Sequence, residues 1–250
     1  QRQMCIRDSV GAMLIAIIIG AITGLIISHI GAHPILVTLG SMTIISGIGI
    51  YLTKGAALSG MPPVVRSIGS EVIMGIPVPM MIFIVTTVAL ALFLGKTRTG
   101  KTIYMCGSNI NATWFSGIRT DRVLIAIYAI SSMLCVLAGL IMLARFNSAR
   151  MGYGDSYLLL TVLAIVLGGT DPFGGAGKVS HVFCALLVLQ VIATGLSLLG
   201  LSLHFNLAVW GITLIAALAF KFIKQKWQLQ RDMNKSRKIF QQQLITREGK

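Results

Sequence analysis

Long apolar runs constrain this 250-residue chain more than any other feature. A helix needs about 20 apolar residues to cross the hydrocarbon core of a bilayer. Six runs approach or reach that length, and a seventh, shorter run could be a short span or a broken helix. We therefore predict an all-α fold, a polytopic transmembrane helical bundle. The six long runs are 10–30, 34–53, 78–95, 123–144, 179–203 and 205–222, and the short one is 157–169.

Composition agrees with lipid as the main solvent of this chain. Hydrophobic residues make up 55% of it and charged residues only 11%, whereas a soluble domain carries roughly 25% charged residues. We divide the chain into a transmembrane domain over 10–223 and a basic, solvated tail over 224–250, which we expect to be cytoplasmic. The polar start, 1–9 (QRQMCIRDS), is interpreted as non-native or as a truncation point and is left out of the fold prediction.

The net charge of +14 is confined mostly to loops and to the tail. Nucleic-acid binding is not favoured, because no aromatic-basic interleaving or base-reading motif accompanies the charge. Lysine and arginine stay on the cytoplasmic side of a membrane protein. If 157–169 crosses the bilayer, the loop 96–122, Lys178 and the tail share one side. That side is predicted to be cytoplasmic, because it holds most of the basic residues.

Ionisable side chains are rare inside the runs. None of the seven acidic residues lies at mid-membrane. Ion-coupled secondary transporters usually carry ionisable groups there, so an ion-coupled transporter, one of the functions that we consider, is disfavoured. No cluster of His with Asp, Cys or Glu gathers near one membrane face, so a membrane enzyme is disfavoured too. The four cysteines are widely spaced and are interpreted as small buried hydrophobes. The sequence therefore predicts neither a catalytic site nor a bound metal or cofactor.

One stretch, 95–102 (GKTRTGKT), matches the phosphate-binding pattern G-x-x-x-x-G-K-[ST] in full. That loop requires a strand before it and a helix after it, so that backbone amides point at phosphate. Here a membrane span precedes the match. We interpret the match as a coincidence in which Lys and Arg snorkel at the end of a span.

Two motifs carry a family resemblance. The first is 99–118 (TGKTIYMCGSNINATWFSGI), and the second is 164–178 (AIVLGGTDPFGGAGK). Together they resemble the ribose-type permeases of bacterial ATP-binding-cassette importers, over roughly 10–223. Members of that group begin with additional spans, so the resemblance implies that N-terminal spans are missing here. A further departure is Ser46-Gly47, where the family has arginine and glycine.

The resemblance implies an ATPase-coupling loop, a short cytoplasmic helix that docks into a separate ATPase subunit. Asn109 is a suitable N-cap for that helix, and exposed aromatic side chains are typical of interface anchors. The alternative for the aromatic pair is anchoring at the membrane interface. The residues assigned to the loop are Gly107, Asn109, Ala112, Trp114, Phe115, Ser116, Gly117 and Ile118.

The second motif is predicted to be a tight glycine turn between two apolar segments. The turn either merely reverses the chain or lies against a partner or the transport pathway. Its assigned residues are Gly168, Gly169, Thr170, Gly174, Gly175 and Gly177.

Transport by this family implies a pathway lined by small polar groups, and several hydroxyls inside the spans are candidates. Contacts between helices are an equal alternative for each of them. The candidates are Ser41, Thr43, Ser46, Ser131 and Ser132. The expected function is import of a small polar solute, most simply a monosaccharide, across the bacterial inner membrane. The implied partners are cytoplasmic ATPases, a second permease copy or paralogue, a periplasmic solute-binding protein and the lipid bilayer.

Overall fold

The computed structural model describes residues 2–73, 75–171, 174–200, 205, 208–220, 223, 226 and 230. The described part is helical apart from two short two-stranded ladders. The helices are α1 (Arg2–Ile30), α2 (Pro34–Thr53), α3 (Pro63–Ser70), α4 (Val78–Lys96), α5 (Arg98–Ser108), α6 (Ile110–Phe115), α7 (Thr120–Phe146), α8 (Asp155–Leu167), α9 (Val179–Leu198) and α10 (Ala208–Phe220). The strands are β1 (Leu58–Ser59), β2 (Val72–Ile73), β3 (Ile76–Pro77) and β4 (Ser148–Ala149).

The predicted all-α membrane fold is confirmed. Five helices, α1, α2, α4, α7 and α9, are long and apolar enough to cross a membrane, and α8 and α10 are shorter apolar helices. Neither α2 nor α4 contains a buried residue, and many of their apolar side chains are exposed on the surface of the single chain. The predicted 179–203 run ends as helix at Leu198, and residues 201–204 lie outside the described part. Helix α1 begins at Arg2, so residues 2–9 continue the first span as helix.

Helices α1 and α7 form the most extensive contact of the bundle. The small residues Gly20 and Gly24 allow it, as the G-x-x-x-G pattern predicts. A Cβ at Gly24 would lie 2.8 Å from the Ile125 Cα, and one at Gly20 would lie 2.5 Å from the Tyr128 carbonyl oxygen. At the end of this antiparallel pair, Ser28 Oγ donates to Asp121 Oδ1 at 2.8 Å.

One end of the bundle is made by the segment between α2 and α4 and by the end of α7. Strand β1 pairs with β4, and Asn147 Oδ1 accepts from the Met61 amide at 3.2 Å. Helix α3 packs on the last turn of α7, where a Cβ at Gly69 would lie 2.5 Å from the Ala144 carbonyl. This end carries the basic residues that the sequence assigns to the non-cytoplasmic side: Lys54, Arg66, Arg145 and Arg150.

The opposite end is formed by α5, α6 and the turn between α8 and α9. Its basic residues are the five of the loop 96–122 together with Lys178. The structure therefore separates the two sets of loops to opposite ends, as the sequence predicts. Which end faces the cytoplasm remains a prediction.

Helix α8 connects the two ends although it has only 13 residues, about 20 Å at 1.5 Å per residue. The hydrocarbon core is about 30 Å thick, so the chain must cover the remainder in another form. Residues 148–154 do so by folding back into the bundle, where the Met151 side chain packs on Gly49 of α2. Irregular backbone at this depth is tolerated where protein or a cavity surrounds it.

The main buried core joins α8, α9 and α10. Its buried members are Leu163, Ala164, Leu189 and Trp210. Leu163 and Leu189 are the largest fully buried side chains in the described part of the chain. Helix α9 also stacks on α4 through Phe83 and Phe183, whose ring centroids are 5.5 Å apart. These contacts hold α4, α8, α9 and α10 together.

Candidate functional site: the helical corner and the glycine turn

The helical corner, which we define as residues 97–117, follows the end of α4. Thr97 caps α5, because its Oγ1 accepts from the Gly100 amide at 3.0 Å. The chain then breaks at Asn109, whose extended backbone (φ −157°) ends α5 and starts α6. Asn109 Oδ1 accepts from the Ala112 amide at 3.0 Å, so the predicted N-cap is confirmed. Gly117, at φ 80°, ends the corner in the left-handed region that glycine adopts without strain.

The coupling stretch is shorter as a helix than the sequence predicts. The predicted single segment 107–118 is divided between two helices, and only 110–115 form α6. Gly107 belongs to α5, and Ser116 caps the end of α6. The division has a physical reason, because the extended backbone at Asn109 cannot continue α5.

Helix α6 exposes its aromatic residues and buries the polar Thr113, while its other polar residue, Asn111, is exposed. Trp114 is 60% exposed and Phe115 is 80% exposed, and their rings meet edge to face at 5.0 Å. Thr113 is only 2% exposed, and its Oγ1 donates to the Asn109 carbonyl oxygen at 2.8 Å. This inversion of the usual pattern leaves an aromatic surface without an intramolecular partner in the described part of the chain. Such a surface is typical of an interface.

Cys106 lies beneath this helix. Its thiol is buried, and burial raises its pKa, opposed in part by a side-chain hydrogen bond with Thr113. The thiol therefore stays protonated at neutral pH, which is the unreactive form. This agrees with the prediction for Cys106, but the prediction that the cysteines are buried is wrong for Cys135 and Cys184, which are exposed on α7 and α9 in the single chain.

The glycine turn lies directly against the helical corner. A Cβ at Gly107 would lie 2.5 Å from the Gly175 amide nitrogen, and one at Gly175 would lie 2.7 Å from the Ser108 Cα. Both partners are backbone, which cannot move aside as a flexible side chain can. In addition, Tyr104 Oη donates to the Gly177 carbonyl oxygen at 2.9 Å. The two motifs of the sequence, far apart in the chain, thus form one site.

The turn itself reverses the chain between α8 and α9. Gly169, Gly174, Gly175 and Gly177 all have positive φ, and the Asp171 amide donates to the Ala176 carbonyl at 3.0 Å. At its start, Gly168 packs on α9, where a Cβ would lie 2.9 Å from the Val182 Cα.

Thr170 lies in the middle of the same turn. A Cβ at position 177 would lie 2.7 Å from Thr170 Oγ1. Only glycine therefore fits at position 177 beside the Thr170 side chain. Thr170 Oγ1 is buried and has no hydrogen-bond partner among the described residues.

The phosphate-loop match is not a phosphate site. Helix α4, rather than a strand, leads into it. The Gly100 amide is used by Thr97 Oγ1, and the Lys101 amide donates to the Thr97 carbonyl. A Cβ at Gly100 would lie 2.5 Å from the Phe93 carbonyl oxygen, so this glycine serves close packing of α4 on α5. The strand-loop-helix arrangement that a phosphate-binding loop requires is therefore not formed by residues 95–102, in agreement with the sequence interpretation.

The pathway candidates do not converge. Ser132 packs on Gly20 in the α1–α7 contact, and Ser41 Oγ lies 3.5 Å from Thr23 Oγ1 between α1 and α2. Thr43 bonds its own helix and is exposed. Ser46 is half-buried and Ser131 is exposed. Within the part of the chain that the structure describes, none of the five lines the two adjoining cavities near α8.

Sequence reasoning missed residues that do line those cavities, above all Gln190 and Trp210. The signal for Gln190 was present, because it is the only Asn or Gln in the predicted spans between residues 10 and 203. Trp210 gave no comparable signal.

No group of three His, Cys, Asp or Glu side chains that could hold a metal occurs among the residues that the structure describes.

Comparison with known proteins identifies the family. Residues 4–218 match the family described as branched-chain amino acid transport system / permease component. The chain therefore belongs to that family of membrane permease components.

Relatives with curated descriptions are import permeases. The ribose import permease protein of Bacillus subtilis is 35% identical over 196 residues, which cover 78% of this chain and 61% of the relative. The autoinducer 2 import system permease protein of Photorhabdus temperata is 28% identical over 221 residues, 86% of this chain and 65% of the relative. The corresponding protein of Escherichia coli K12 is 28% identical over 214 residues, 82% of this chain and 65% of the relative.

The resemblance to ribose-type permeases is thus confirmed. The chain spans a little under two thirds of the length of these relatives. No solved structure matches the chain.

Proposed function

We propose that this chain forms the membrane-spanning part of an ATP-binding-cassette importer that moves a small polar solute, such as a monosaccharide, into the bacterial cytoplasm. The family and the names of the relatives support the transport of such solutes. No residue of the chain is required to do covalent chemistry in this function. ATP is bound and hydrolysed by separate subunits.

The exposed aromatic pair on the helical corner carries the proposal. Trp114 and Phe115 project from a short helix that is capped at its start and held from below by Thr113. A rigid, exposed aromatic anchor is what a groove on a partner subunit binds. We assign the corner to the cytoplasm together with the C-terminal tail, because the loop 96–122, Lys178 and the tail together hold most of the basic residues of the sequence.

The glycine turn gives the corner a way to act on the bundle. A push on α6 reaches α5, and the backbone contacts at Gly107 and Gly175 transmit it to the turn between α8 and α9. ATP-driven closure of the ATPases would thereby bias the bundle between outward-facing and inward-facing states. A second permease copy or paralogue and a periplasmic solute-binding protein complete the proposed complex. The inner membrane is its proposed location.

The alternative, an ion-coupled secondary transporter, has less support. In the described parts of the spanning helices, the acidic residues lie at helix ends, as Asp121 and Asp155 do, rather than at mid-span. The family and its named relatives also favour import permeases. Among the residues that the structure describes, no group of three His, Cys, Asp or Glu side chains supports a membrane enzyme.

The test uses the natural full-length protein, purified from its native membrane and reconstituted with co-purifying subunits. We expect an ATPase subunit to co-purify. Proteoliposomes supplied with the binding protein should take up radiolabelled D-ribose or another neutral monosaccharide only with ATP. Uptake that persists without ATP and follows a proton or sodium gradient would contradict the proposal and support the ion-coupled alternative.

A further inference from the structure

A cavity of about 640 Å³ lies between the irregular segment before α8, the first turns of α8, and the middle of α9. Its volume lies within the range of roughly 300–1,000 Å³ that is usual for small-molecule sites. It adjoins a second cavity of about 770 Å³, because Ser148, Tyr153 and Tyr157 line both. The second cavity reaches β1 and β4, at the end opposite the helical corner. The second cavity thus extends to the end that we assign to the periplasm.

Gln190 supplies an amide to this cavity at the middle of the membrane. It lies eleven residues after the start of α9 at Val179, roughly 17 Å along the helix, and hence near the centre of a core about 30 Å thick. An amide without a hydrogen-bond partner is costly in hydrocarbon. Among the described residues, no protein group lies within hydrogen-bond distance of its side chain, which lines the cavity instead. Gln190 is exposed on the surface of the single chain, so its amide is available to a group outside the described residues, such as water or a solute in the cavity.

Aromatic side chains surround the amide. Tyr153, Tyr157 and Trp210 line the same cavity, and Trp210 is held in the core with only 6% of its surface exposed. Tyr153 is fixed from two sides, because its Oη lies 3.2 Å from Ser148 Oγ and its ring packs edge to face on Phe146 at 5.6 Å. Rigid aromatic faces beside hydroxyl and amide groups suit a ligand with apolar C–H faces and a polar rim.

The charge of the lining restricts the ligand further. No Asp, Glu, Lys, Arg or His lines this cavity in the described part of the chain. A phosphate or carboxylate group would need a positive charge to balance its own, and the start of α8 at this cavity already carries the Asp155 carboxylate in its first turn. The nearest lining cation, Arg150, belongs to the adjoining cavity. The chemistry therefore favours a neutral, hydroxyl-rich solute.

We propose that this cavity is a solute-binding site of the permease, in which the Gln190 amide bonds hydroxyls of a neutral, monosaccharide-sized solute against Tyr157 and Trp210. The inference rests on the proposed function and names the place where the solute is recognised. Helix α8 links the site to the helical corner, because its first turn lines the cavity and its end leads into the glycine turn. Movement of the corner would therefore alter the shape of the site.

Tryptophan fluorescence of the full-length permease in detergent, without ATPase, tests the site alone. Every tryptophan except Trp210 is replaced by phenylalanine, and neutral monosaccharides (D-ribose, D-xylose, D-glucose and L-rhamnose) and D-ribose 5-phosphate are titrated separately. We expect a saturable change in Trp210 emission with at least one neutral sugar and none with the phosphate. The absence of a saturable change with every neutral sugar, or stronger binding of the phosphate, would overturn the proposal.

Gln190→Leu is the decisive variant, and Thr194→Val on the same helix is its control. Thr194 is exposed and its hydroxyl bonds the Gln190 carbonyl rather than the cavity. Loss of one amide hydrogen bond should weaken binding by about fivefold to tenfold in Gln190→Leu, and Thr194→Val should bind as the parent does. Equal affinity in Gln190→Leu and the parent would contradict the assignment. If Gln190→Leu fails to fold by circular dichroism, Tyr157→Ala replaces it, with the same expectation.

These outcomes are separable from those of the proposed function. A protein that binds a neutral sugar at Trp210 but takes it up without ATP would retain the site and lose the ATP-driven mechanism. A protein that recruits the ATPase and imports sugar, but shows no Trp210 response, would lose the site and retain the mechanism.

Discussion

Replacing Trp114 and Phe115 together by alanine is expected to abolish co-purification of the ATPase subunit and solute-stimulated ATP hydrolysis. Exposed aromatic anchors at interfaces contribute about 2–4 kcal/mol each when truncated, and each 1.4 kcal/mol is about tenfold in affinity. The helix should survive, because its cap at Asn109 and its inward Thr113 are unchanged. The measurement is pull-down from solubilised membranes, followed by ATPase assay in proteoliposomes.

The matched control replaces Leu198 and Leu199 by alanine. These two neighbours are as exposed as the aromatic pair, at 84% and 77%, but they lie at the end of α9, away from the corner. We expect normal recruitment in this control. If Trp114 and Phe115 only anchor the corner at the membrane interface, the aromatic variant will recruit ATPase normally, and the docking assignment will be wrong.

The second prediction is that Gly107→Ala strongly reduces ATP-driven uptake. The added Cβ would meet the backbone of Gly175 at 2.5 Å, and overpacking of this kind costs about 1–3 kcal/mol. The glycine turn must therefore move off α5, and transmission from the corner to α8 should fail. We expect the variant to insert in the membrane and bind ATPase, while ATP-driven uptake falls by more than about tenfold, measured in proteoliposomes.

Gly95→Ala is the control for this substitution. Gly95 lies near the end of α4 with nothing within 4 Å of the position of its Cβ, and alanine favours helix by about 1 kcal/mol over glycine. Uptake by Gly95→Ala should equal that of the parent. Tyr104→Phe removes only the hydrogen bond to Gly177 and should give an intermediate loss, since such a bond contributes about 1 kcal/mol. Full uptake by Gly107→Ala would show that the contact is not needed for coupling.

The spans could be predicted from sequence because lipid imposes a long apolar run on every crossing. The start of α2 at Pro34 and its end at Thr53 coincide with the predicted bounds. The N-cap at Asn109 was predictable for a similar reason, because a local side-chain acceptor is needed where α5 breaks. Local rules sufficed at both places.

The site itself could not be derived from local rules. The contact of Gly107 with Gly175 joins residues that are far apart in the chain, and a glycine carries no signal of what approaches it. The sequence marked both motifs through the family resemblance but did not place them together. The hydroxyl candidates failed to converge because Ser, Thr and their own helix backbone satisfy each other, as Ser132 does with the Tyr128 carbonyl. A mid-span amide such as Gln190 cannot do this as easily and was the better signal.

The most direct test of the account is the location of the corner relative to the membrane. A single cysteine at Ser116→Cys, with the natural cysteines replaced by alanine, is treated with a membrane-impermeant maleimide in inside-out and right-side-out vesicles. Ser70→Cys, at the exposed end of α3, marks the opposite face. The account predicts labelling of position 116 only in inside-out vesicles, its protection by added ATPase subunits, and labelling of position 70 only in right-side-out vesicles. Labelling of position 116 from the outside would contradict it.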